Sequence, residues 1–429
     1  MMINMKRTTH CLWKLATPFF LLLAIVWIAS PIKAAESTPT NDYKQGKVYK
    51  INAKSKPLKA SKYKKSSCYN KKTKNYFTIR SYMEKFQKAG RGTLIFKKGT
   101  YTITNTIYIP SNVTIIFEKG VKIIKGNKTG VKKMPASSTI FQLIKPSNAK
   151  KRAVYRGHEG EKNIHFVGKG GVSVNLKNQK ANIALVMGHN QNVTVDNIAF
   201  TNMNSGHFIE MDASKDINIR TCTFKNAKAG SDYVKEAINL DTPDKTTKGF
   251  NNAWSKYDKT PNENVLIENC SFKNLGRAIG THKYSANGDM QLYHTGIVLR
   301  GNHIQNMNWD SPIRVMNWKD SIIENNTITG VKQPGKSDTR GILVSGAVNV
   351  SIKNNRINDV GRAIQCIAWK NSGPGSQYPI TYNSFTDQNM NDFSTNIGSN
   401  LSMGEYFIRI NEIYNEFTNV MKIPIQKAP

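Results

Sequence analysis

Residues 320–331 (DSIIENNTITGV) and residues 349–360 (NVSIKNNRINDV) follow the same pattern. Each begins with a polar residue, alternates apolar and polar side chains, passes through a polar turn and alternates again. The same pattern recurs in residues 192–203 (NVTVDNIAFTNM), 216–227 (DINIRTCTFKNA), 264–275 (NVLIENCSFKNL) and 295–307 (TGIVLRGNHIQNM). The starts are about 24 residues apart, or about 24 plus an insertion. The middle of the chain is therefore a repeat of strand, turn, strand and turn.

This repeat predicts the fold. One coil cannot bury its own apolar face, but coils stacked about 4.8 Å apart form a continuous core. We predict an all-β, single-stranded, right-handed parallel β-helix over residues 78–375. The apolar periodicity of Thr78–Ala89, which ends at Gly90, predicts a helix that caps its N-terminal end. The repeat fades after residue 375, and residues 376–429 are predicted to cap the last coil.

The first 77 residues contain two further segments. Residues 1–35 have the features of a signal peptide: Lys6, Arg7 and Lys14, then the mostly apolar run Leu15–Ala29. A retained membrane anchor is the alternative, although the apolar run is short for a spanning helix. Residues 36–77 are rich in lysine and form either a solvated tail or an electrostatic anchor on an anionic wall polymer.

The charge of the chain limits its partners. There are 62 Lys and Arg against 28 Asp and Glu, which gives a formal net charge of +34. Such a charge suits nucleic acid, an anionic cell wall or an acidic glycan, and export argues against nucleic acid. We therefore expect a secreted monomer, free or associated with the cell wall, that binds an acidic polysaccharide and no membrane once the signal is removed.

The repeat also predicts columns of equivalent side chains. One column contains three asparagines that can pass amide hydrogen bonds from coil to coil, and its members are Ile198, Cys222, Cys270, Asn302, Asn326 and Asn355. A second polar column follows at the next turn: Asn202, Asn226, Asn274, Asn306 and Asp359. We read the two cysteines as stacked free thiols. Both columns, together with His189 and His207, are predicted to have structural roles.

The asparagine column, the helix cap and residues 99–120 (GTYTITNTIYIPSNVTIIFEKG) resemble secreted right-handed β-helix proteins of the pectate-lyase-like superfamily. That group includes polysaccharide lyases and polygalacturonase-like hydrolases. The resemblance covers roughly residues 78–370. It implies the fold and an acidic polysaccharide as substrate, but many chemistries share this scaffold.

A third strand in each coil carries the candidate site. When Ile209, Ile238, Ile279 and Ile313 are aligned, their side chains point inward. Because side chains alternate along a strand, the residues one and three positions after each isoleucine must face outward. The outward residues of these four coils combine acids, a histidine and an arginine: Glu210, Asp212, Asn239, Asp241, His282 and Arg314. The next two coils present neutral or apolar groups there. This grouping favours a functional patch over a randomly charged surface.

A polysaccharide lyase that acts by β-elimination is the leading hypothesis. Glu210, Asp212 and Asp241 would hold Ca²⁺ through oxygen ligands. The cation and Arg314 would neutralise a uronate carboxylate. The predicted catalytic groups are Asp241, His282, Lys283 and Arg314, and the last three are the candidates for proton transfer. Aromatic and basic residues of the nearby insertions suit an acidic sugar, and the predicted substrate-binding residues are Asn239, Arg277, Tyr284, His294 and Trp318.

Two alternatives remain open. In a glycoside hydrolase, Glu210 and Asp241 would act as acid and base, and inversion needs roughly 6.5–9.5 Å between the carboxyls. The segments 239–241, 280–282 and 314–316 are similar to the polygalacturonase order of Asn-x-Asp, a histidine turn and Arg-x-Lys. However, the adjacent Asp-Asp pair of that family is missing and Met316 stands in place of its lysine. The other alternative is a non-catalytic cell-wall or glycan-binding protein.

Overall fold

The computed structural model describes residues 46–59, 63, 66–228, 235–370, 375–377, 380–403, 406–413 and 416–424. The predicted signal peptide, residues 1–35, lies outside these ranges. Neither α-helix in the described part of the chain is long and apolar enough to span a bilayer.

Three long sheets run along the molecule, and every strand of a sheet pairs with its counterpart in the next coil. Sheet A contains ten strands: β1 Val48–Ile51, β2 Gly92–Phe96, β5 Val113–Phe117, β8 Lys162–Gly168, β11 Gln191–Asp196, β14 Lys215–Arg220, β17 Glu263–Glu268, β22 His294–Arg300, β25 Trp318–Glu324 and β28 Val348–Lys353. Sheet B also contains ten: β3 Gly99–Ile103, β6 Val121–Lys125, β9 Ser173–Asn175, β12 Ala199–Met203, β15 Thr223–Ala227, β18 Ser271–Leu275, β23 His303–Met307, β26 Thr327–Val331, β29 Arg356–Val360 and β33 Ile397–Leu401.

Sheet C carries the candidate site. Its strands are β4 Ile107–Tyr108, β7 Thr139–Gln142, β10 Ile183–Gly188, β13 Ile209–Asp212, β16 Glu236–Asp241, β19 Arg277–Gly280, β24 Ile313–Met316, β27 Arg340–Ser345, β30 Arg362–Ile367, β34 Tyr406–Ile413 and β35 Glu416–Pro424. Pairing is parallel except between β34 and β35. Two short antiparallel hairpins stand outside the sheets: β20 Ala286–Asn287 with β21 Met290–Gln291, and β31 Trp369–Lys370 with β32 Ile380–Thr381. The predicted all-β, single-stranded, right-handed parallel β-helix is confirmed.

The interior is formed by the inward side chains of all three sheets. Aliphatic residues of neighbouring coils lie directly over one another, as Ile209 does over Ile238 and Ile238 over Ile279. In sheet B, the rings of Phe200 and Phe224 stack with centroids 5.1 Å apart. This continuous apolar column replaces the core that a single coil lacks, because each coil buries its neighbours' side chains.

The predicted asparagine column is confirmed. Asn302 donates to Asn326, Asn326 donates to Asn355, and both distances are 2.9 Å. The structure adds one rung, because Asn355 donates to Asn396 at 2.8 Å. Cys222 and Cys270 are buried free thiols, as expected. In the second column, Asn274 donates to Asn226 at 3.2 Å.

The N-terminal region differs from the expectation of a solvated tail. Val48–Ile51 forms the first strand of sheet A and pairs with β2. Helix α1, Lys74–Ala89, begins four residues before the predicted start and ends at Gly90. Phe86 packs so closely on Gly92 that an added Cβ would lie 2.0 Å from its ring. The helix thereby covers the apolar end of the first coil.

The C-terminal region contains more repeat than expected. Helix α2, Asp387–Phe393, lies in an insertion after β30, and the chain then returns to pair β33 with β29. β34 continues sheet C beyond β30. The long insertion conceals this coil in the sequence because it shifts the repeat out of phase. A short 3-10 helix, Pro146–Asn148, completes the regular structure described.

Candidate functional site

The predicted outward residues lie on adjacent strands of sheet C. Glu210 faces Asn239, Asp212 faces Asp241, and Gly280 faces Arg314. The register deduced from the repeat is therefore confirmed. We call the polar residues gathered on these strands the sheet C cluster: Glu210, Asp212, Glu236, Asn239, Asp241, Arg277, His282 and Arg314.

Apolar groups cover sheet C on both sides of the cluster. On the N-terminal side, the insertion between β16 and β17 packs Phe250 and Trp254 on Val186. On the C-terminal side, Tyr284 packs with Leu343 and other apolar side chains. The cluster itself is largely buried. The side chain of Asp241 is 1% exposed, whereas those of His282 and Arg314 are 19% and 11% exposed.

Asn239 is the centre of the hydrogen-bond network. Its side-chain amide nitrogen donates to Glu210 Oε1 and to Asp241 Oδ2, each at 3.1 Å. Its Oδ1 accepts from His282 Nδ1 at 3.0 Å. The other ring nitrogen, His282 Nε2, lies 3.5 Å from Asp241 Oδ2. One amide thus fixes the two carboxyl groups and the imidazole relative to one another.

Glu236 is the central charge of the cluster and was missed from the sequence. It is fully buried, and its carboxylate lies 3.4 Å from Arg277 Nη1, 4.0 Å from Arg314 Nη1 and 3.4 Å from His282 Nδ1. Burial alone would raise the pKa of this carboxyl, but His282 and the two arginines hold it well below its usual range. Its position was the signal in the sequence that could have identified it. Glu236 lies two residues before Ile238, just as Arg277 lies two residues before Ile279, so the two residues share a column.

Glu210 and Asp212 have the opposite electrostatic environment. Burial, together with the charge of Asp241, raises the pKa of Glu210 to about 8. Burial, followed by the neighbouring Glu210 and Asp241, raises the pKa of Asp212 well above its usual range. For both groups, burial and the neighbouring carboxyl groups favour the protonated, neutral form.

These carboxyl groups bear on the expected calcium site. A hard cation is held by ionised oxygen ligands, and without a cation the pKa values of Glu210 and Asp212 are raised by burial and by the neighbouring carboxyl groups. Across the described ranges, no three His, Cys, Asp or Glu side chains are arranged to hold a metal ion. The carboxyl oxygens of Asp212 are buried without a hydrogen-bond partner in the described ranges, and the calcium site stays a prediction.

All five predicted substrate-binding residues are buried, and Asn239 is the centre of the network described above. Trp318 is fully buried, and its Nε1 donates to Thr281 Oγ1 at 2.9 Å. His294 is 2% exposed and accepts a hydrogen bond from the backbone of Asn262. Burial lowers the pKa of His294 to about 4. Neither ring presents a face to a ligand, because both are buried at the starts of sheet A strands.

The other two buried residues have protein partners as well. The Tyr284 hydroxyl donates to Met316 Sδ, so Met316 forms apolar packing rather than a cationic site. Arg277 is held by Asp310, with 2.7 Å between Nη2 and Oδ1. Lys283 extends along Gly375, where an added Cβ would lie 3.9 Å from Nζ. Of the predicted catalytic residues, Asp241, His282 and Arg314 are therefore together, and Lys283 packs on a neighbouring loop.

The distance between Glu210 and Asp241 bears on the hydrolase alternative. Both bonded oxygens lie 3.1 Å from the same amide nitrogen of Asn239. They must be closer to each other than the roughly 6.5–9.5 Å that separates the acid and base of an inverting enzyme. The bridging amide thus holds the two facing oxygens close together, and the acid and base roles of Glu210 and Asp241 stay a prediction.

His207 has the structural contacts expected of it, and it also borders the cluster. Its Nδ1 donates to the backbone oxygen of Glu236 at 2.6 Å, which orients the ring. Its Nε2 lies 3.5 Å from Glu210 Oε2. The ring stacks on that of His282, with 6.3 Å between centroids. Burial lowers the pKa of His207 to about 4, so it is neutral at physiological pH.

Comparison with known proteins places the chain by fold. The family model for a right handed beta helix region matches residues 259–413. Plasmin and fibronectin-binding protein A from Streptococcus pneumoniae (strain ATCC BAA-255 / R6) is 26% identical over 258 residues, which cover 56% of this chain and 35% of the relative. The chain thus spans about a third of that relative's length.

Two solved structures of PfbA, a surface adhesin of Streptococcus pneumoniae, superpose on this chain. The first has a TM-score of 0.54 and 16% identity and covers 80% of this chain and 90% of its own. The second has a TM-score of 0.51 and 17% identity, with coverages of 78% and 85%. At such identities the likeness shows a shared fold. The chain is a right-handed parallel β-helix protein.

Proposed function

We propose that this chain is a non-catalytic, extracellular β-helix protein that binds an acidic polysaccharide at a cell surface or wall. The observation that carries the proposal is the contrast between its acids and its bases. The acids of the sheet C cluster are buried, whereas the chain as a whole has a net charge of +34. An excess of that size attracts a polyanion.

The state of the sheet C cluster supports binding rather than cleavage. A catalytic cleft needs groups that reach the substrate, whereas Glu236, Asp212 and Asp241 are at most 1% exposed. Asp241 is bound by Asn239 and His282, and Glu236 by two arginines and His282, whereas the carboxyl oxygens of Asp212 have no hydrogen-bond partner in the described part of the chain. The relative named for binding plasmin and fibronectin, and the surface adhesin PfbA, also favour a binding role outside the cell.

Cleavage by a lyase or hydrolase is the second candidate, and one observation favours it. The pKa of Glu210, raised to about 8, leaves a proton available at neutral pH beside Asp241 and Asn239. Raised carboxyl pKa values occur where a group acts as a general acid. A movement of the covering insertions would have to expose this group to the substrate.

The test measures binding and cleavage on the same samples. The full chain is incubated with polygalacturonate, alginate and glycosaminoglycans, with and without Ca²⁺. We expect binding that weakens with salt, with no new ultraviolet absorbance and no new reducing ends. Absorbance from an unsaturated uronate, lost in Asp241→Asn and retained in the exposed control Asp289→Asn, would establish the lyase instead. Reducing ends without absorbance would indicate a hydrolase.

A further inference from the structure

The outer face of sheet B differs in charge from the other two sheets. Two outward columns run along it through ten coils, one from Thr100 to Ile397 and the other from Thr102 to Ser399. Neither column contains an acidic residue. The basic members are Lys122, Lys225, Lys273, His303 and Arg356, and all five are exposed.

Two of these lysines stand directly side by side. Lys225 pairs in register with Lys273 on the neighbouring strand. Within the described part of the chain, neither lysine forms an ion pair. Like charges opposite each other on adjacent strands are destabilising. An anionic ligand explains the presence of two paired lysines better than a contribution to the stability of the fold does.

Sheet A shows how the same fold neutralises its surface. Its outer column alternates in sign from coil to coil: Asp196, Arg220, Glu268, Arg300, Glu324 and Lys353. Arg300 Nε lies 2.7 Å from Glu324, and Lys353 lies 3.8 Å from the same carboxylate. Sheet C buries its acids beneath insertions. The uncompensated basic columns therefore belong to sheet B.

The shape of this face suits a long ligand. The turn that leads from sheet A into sheet B contains two residues in successive coils, such as 221–222, 269–270 and 325–326. No insertion overhangs the face along that edge in these coils. Ten strands spaced about 4.8 Å apart give a strip about 43 Å long. Hydroxyl groups flank the lysines along it, from Thr201, Thr223, Ser271, Thr327 and Thr329.

We propose that the outer face of sheet B binds a linear polyuronate that runs across the strands, parallel to the helix axis. The inference rests on the proposed function and assigns its ligand to a different face from the sheet C cluster. Lys225 and Lys273 pair with carboxylates of successive sugars, and the neighbouring threonine and serine hydroxyls bond to sugar hydroxyls. The strip matches a polyuronate in charge and in length, because its polar groups repeat once per coil.

The test compares two double variants of the full chain with equal charge. Lys225→Gln/Lys273→Gln removes two charges from sheet B, and Lys50→Gln/Lys319→Gln removes two exposed charges from sheet A. Affinity for polygalacturonate, for teichoic acid and for neutral dextran is measured at one salt concentration. We expect the sheet B variant to bind polygalacturonate roughly tenfold or more weakly and the sheet A variant to bind it nearly as the parent does. Thermal unfolding should show that the sheet B variant is at least as stable as the parent.

The outcomes separate this inference from the proposed function. If the parent binds polygalacturonate and both variants weaken equally, the sheet B site is wrong while the proposed function stands. If the parent binds no acidic polysaccharide, both are overturned. If only teichoic acid depends on Lys225 and Lys273, the choice of a polyuronate is overturned. If the sheet B variant loses stability, the lysines serve the fold rather than a ligand.

Discussion

At the scale of single residues, Glu236 organises the sheet C cluster. It is fully buried and faces two arginines and a histidine within 4.0 Å. A buried charge without partners is very unfavourable, so this carboxylate and its cations depend on one another. Its position at the start of β16 places it between the strands that carry Arg277 and His207.

Replacing Glu236 with Gln tests this dependence. The change leaves Arg277 and Arg314 buried without their shared anion, and we expect a loss of about 3–5 kcal/mol in the free energy of unfolding. Urea unfolding followed by circular dichroism gives the value. The control is Glu159→Gln, whose partner Arg156 is largely exposed, and it should cost less than about 1 kcal/mol. Equal values for the two variants would contradict the central role of Glu236.

Glu210 makes stability depend on pH in a defined direction. Its folded pKa of about 8 exceeds the usual value of 4.5, so the folded state holds a proton that the unfolded chain releases. Stability from this group is complete below about pH 4.5 and is lost as the pH rises through 8. His207 and His294, with pKa values lowered to about 4, act in the opposite direction below about pH 6.5.

The window from about pH 7.5 to pH 8 lies above the titration of histidines in the unfolded chain, so it reports mainly on the carboxyl groups. Unfolding free energy should fall across this window in the parent, and the slope should be smaller in Glu210→Gln, which mimics the protonated acid. Chemical denaturation at a series of pH values measures the slope. A parent whose stability rises with pH in this window would show that Glu210 is ionised in the fold.

At the scale of elements, the turns between sheets A and B hold the coils in register. Their first residue is often an asparagine in the left-handed region, such as Asn325 with φ of 55° and Asn354 with φ of 54°. Asparagine tolerates this conformation better than most residues. In three of these turns the second residue is Asn302, Asn326 or Asn355, and its inward-pointing amide bonds to the next coil. A conformational preference and a hydrogen-bond ladder thus reinforce each other.

The asparagine ladder should contribute strongly to stability. Asn326→Ala removes the acceptor of two buried Asn302 donors and the donor to Leu299 O. Unsatisfied buried groups cost about 1–3 kcal/mol each, so we expect a loss of at least about 2 kcal/mol. Thermal or urea unfolding measures it. Gln305→Ala, an exposed change on sheet B, is the control, and its free energy of unfolding should stay within about 0.5 kcal/mol of the parent value. A similar loss in both variants would show that the ladder does not stabilise the fold.

At the scale of the whole molecule, the net charge of +34 acts against the fold as well as towards a ligand. Like charges on one particle repel, and unfolding separates them. Sheet A limits this cost by alternating its charges, whereas sheet B leaves its lysines uncompensated. The molecule therefore holds stored repulsion that salt or a polyanion relieves.

Salt should stabilise this protein. Raising NaCl to about 1 M shortens the screening length to about 3 Å, and we expect the thermal midpoint to rise as the repulsion is screened. Differential scanning calorimetry at several salt concentrations measures the shift. Near pH 10.5, where about half of the lysines are neutral, the shift should shrink. A midpoint that falls with NaCl at pH 7 would mean that attractive ion pairs outweigh the repulsion.

The sequence by itself determined the coil, its ladders and the register of sheet C. Asn302, Asn326 and Asn355 were aligned from spacing, and so were Glu210, Asn239 and Asp241. These features are predictable because they repeat: a period of two within a strand sets inward and outward faces, and a period of about 24 residues sets which side chains meet. The assigned catalytic roles stay predictions.

Only the tertiary structure decided what covers each side chain. Trp318, His294 and Tyr284 looked like ligand-binding groups but are buried, and Glu236 became a central charge without any motif of its own. The coil hidden behind α2 and the strand Val48–Ile51 were missed in the same way. Burial depends on insertions from other coils. These insertions do not follow the repeat, so the repeat cannot predict which side chains they cover.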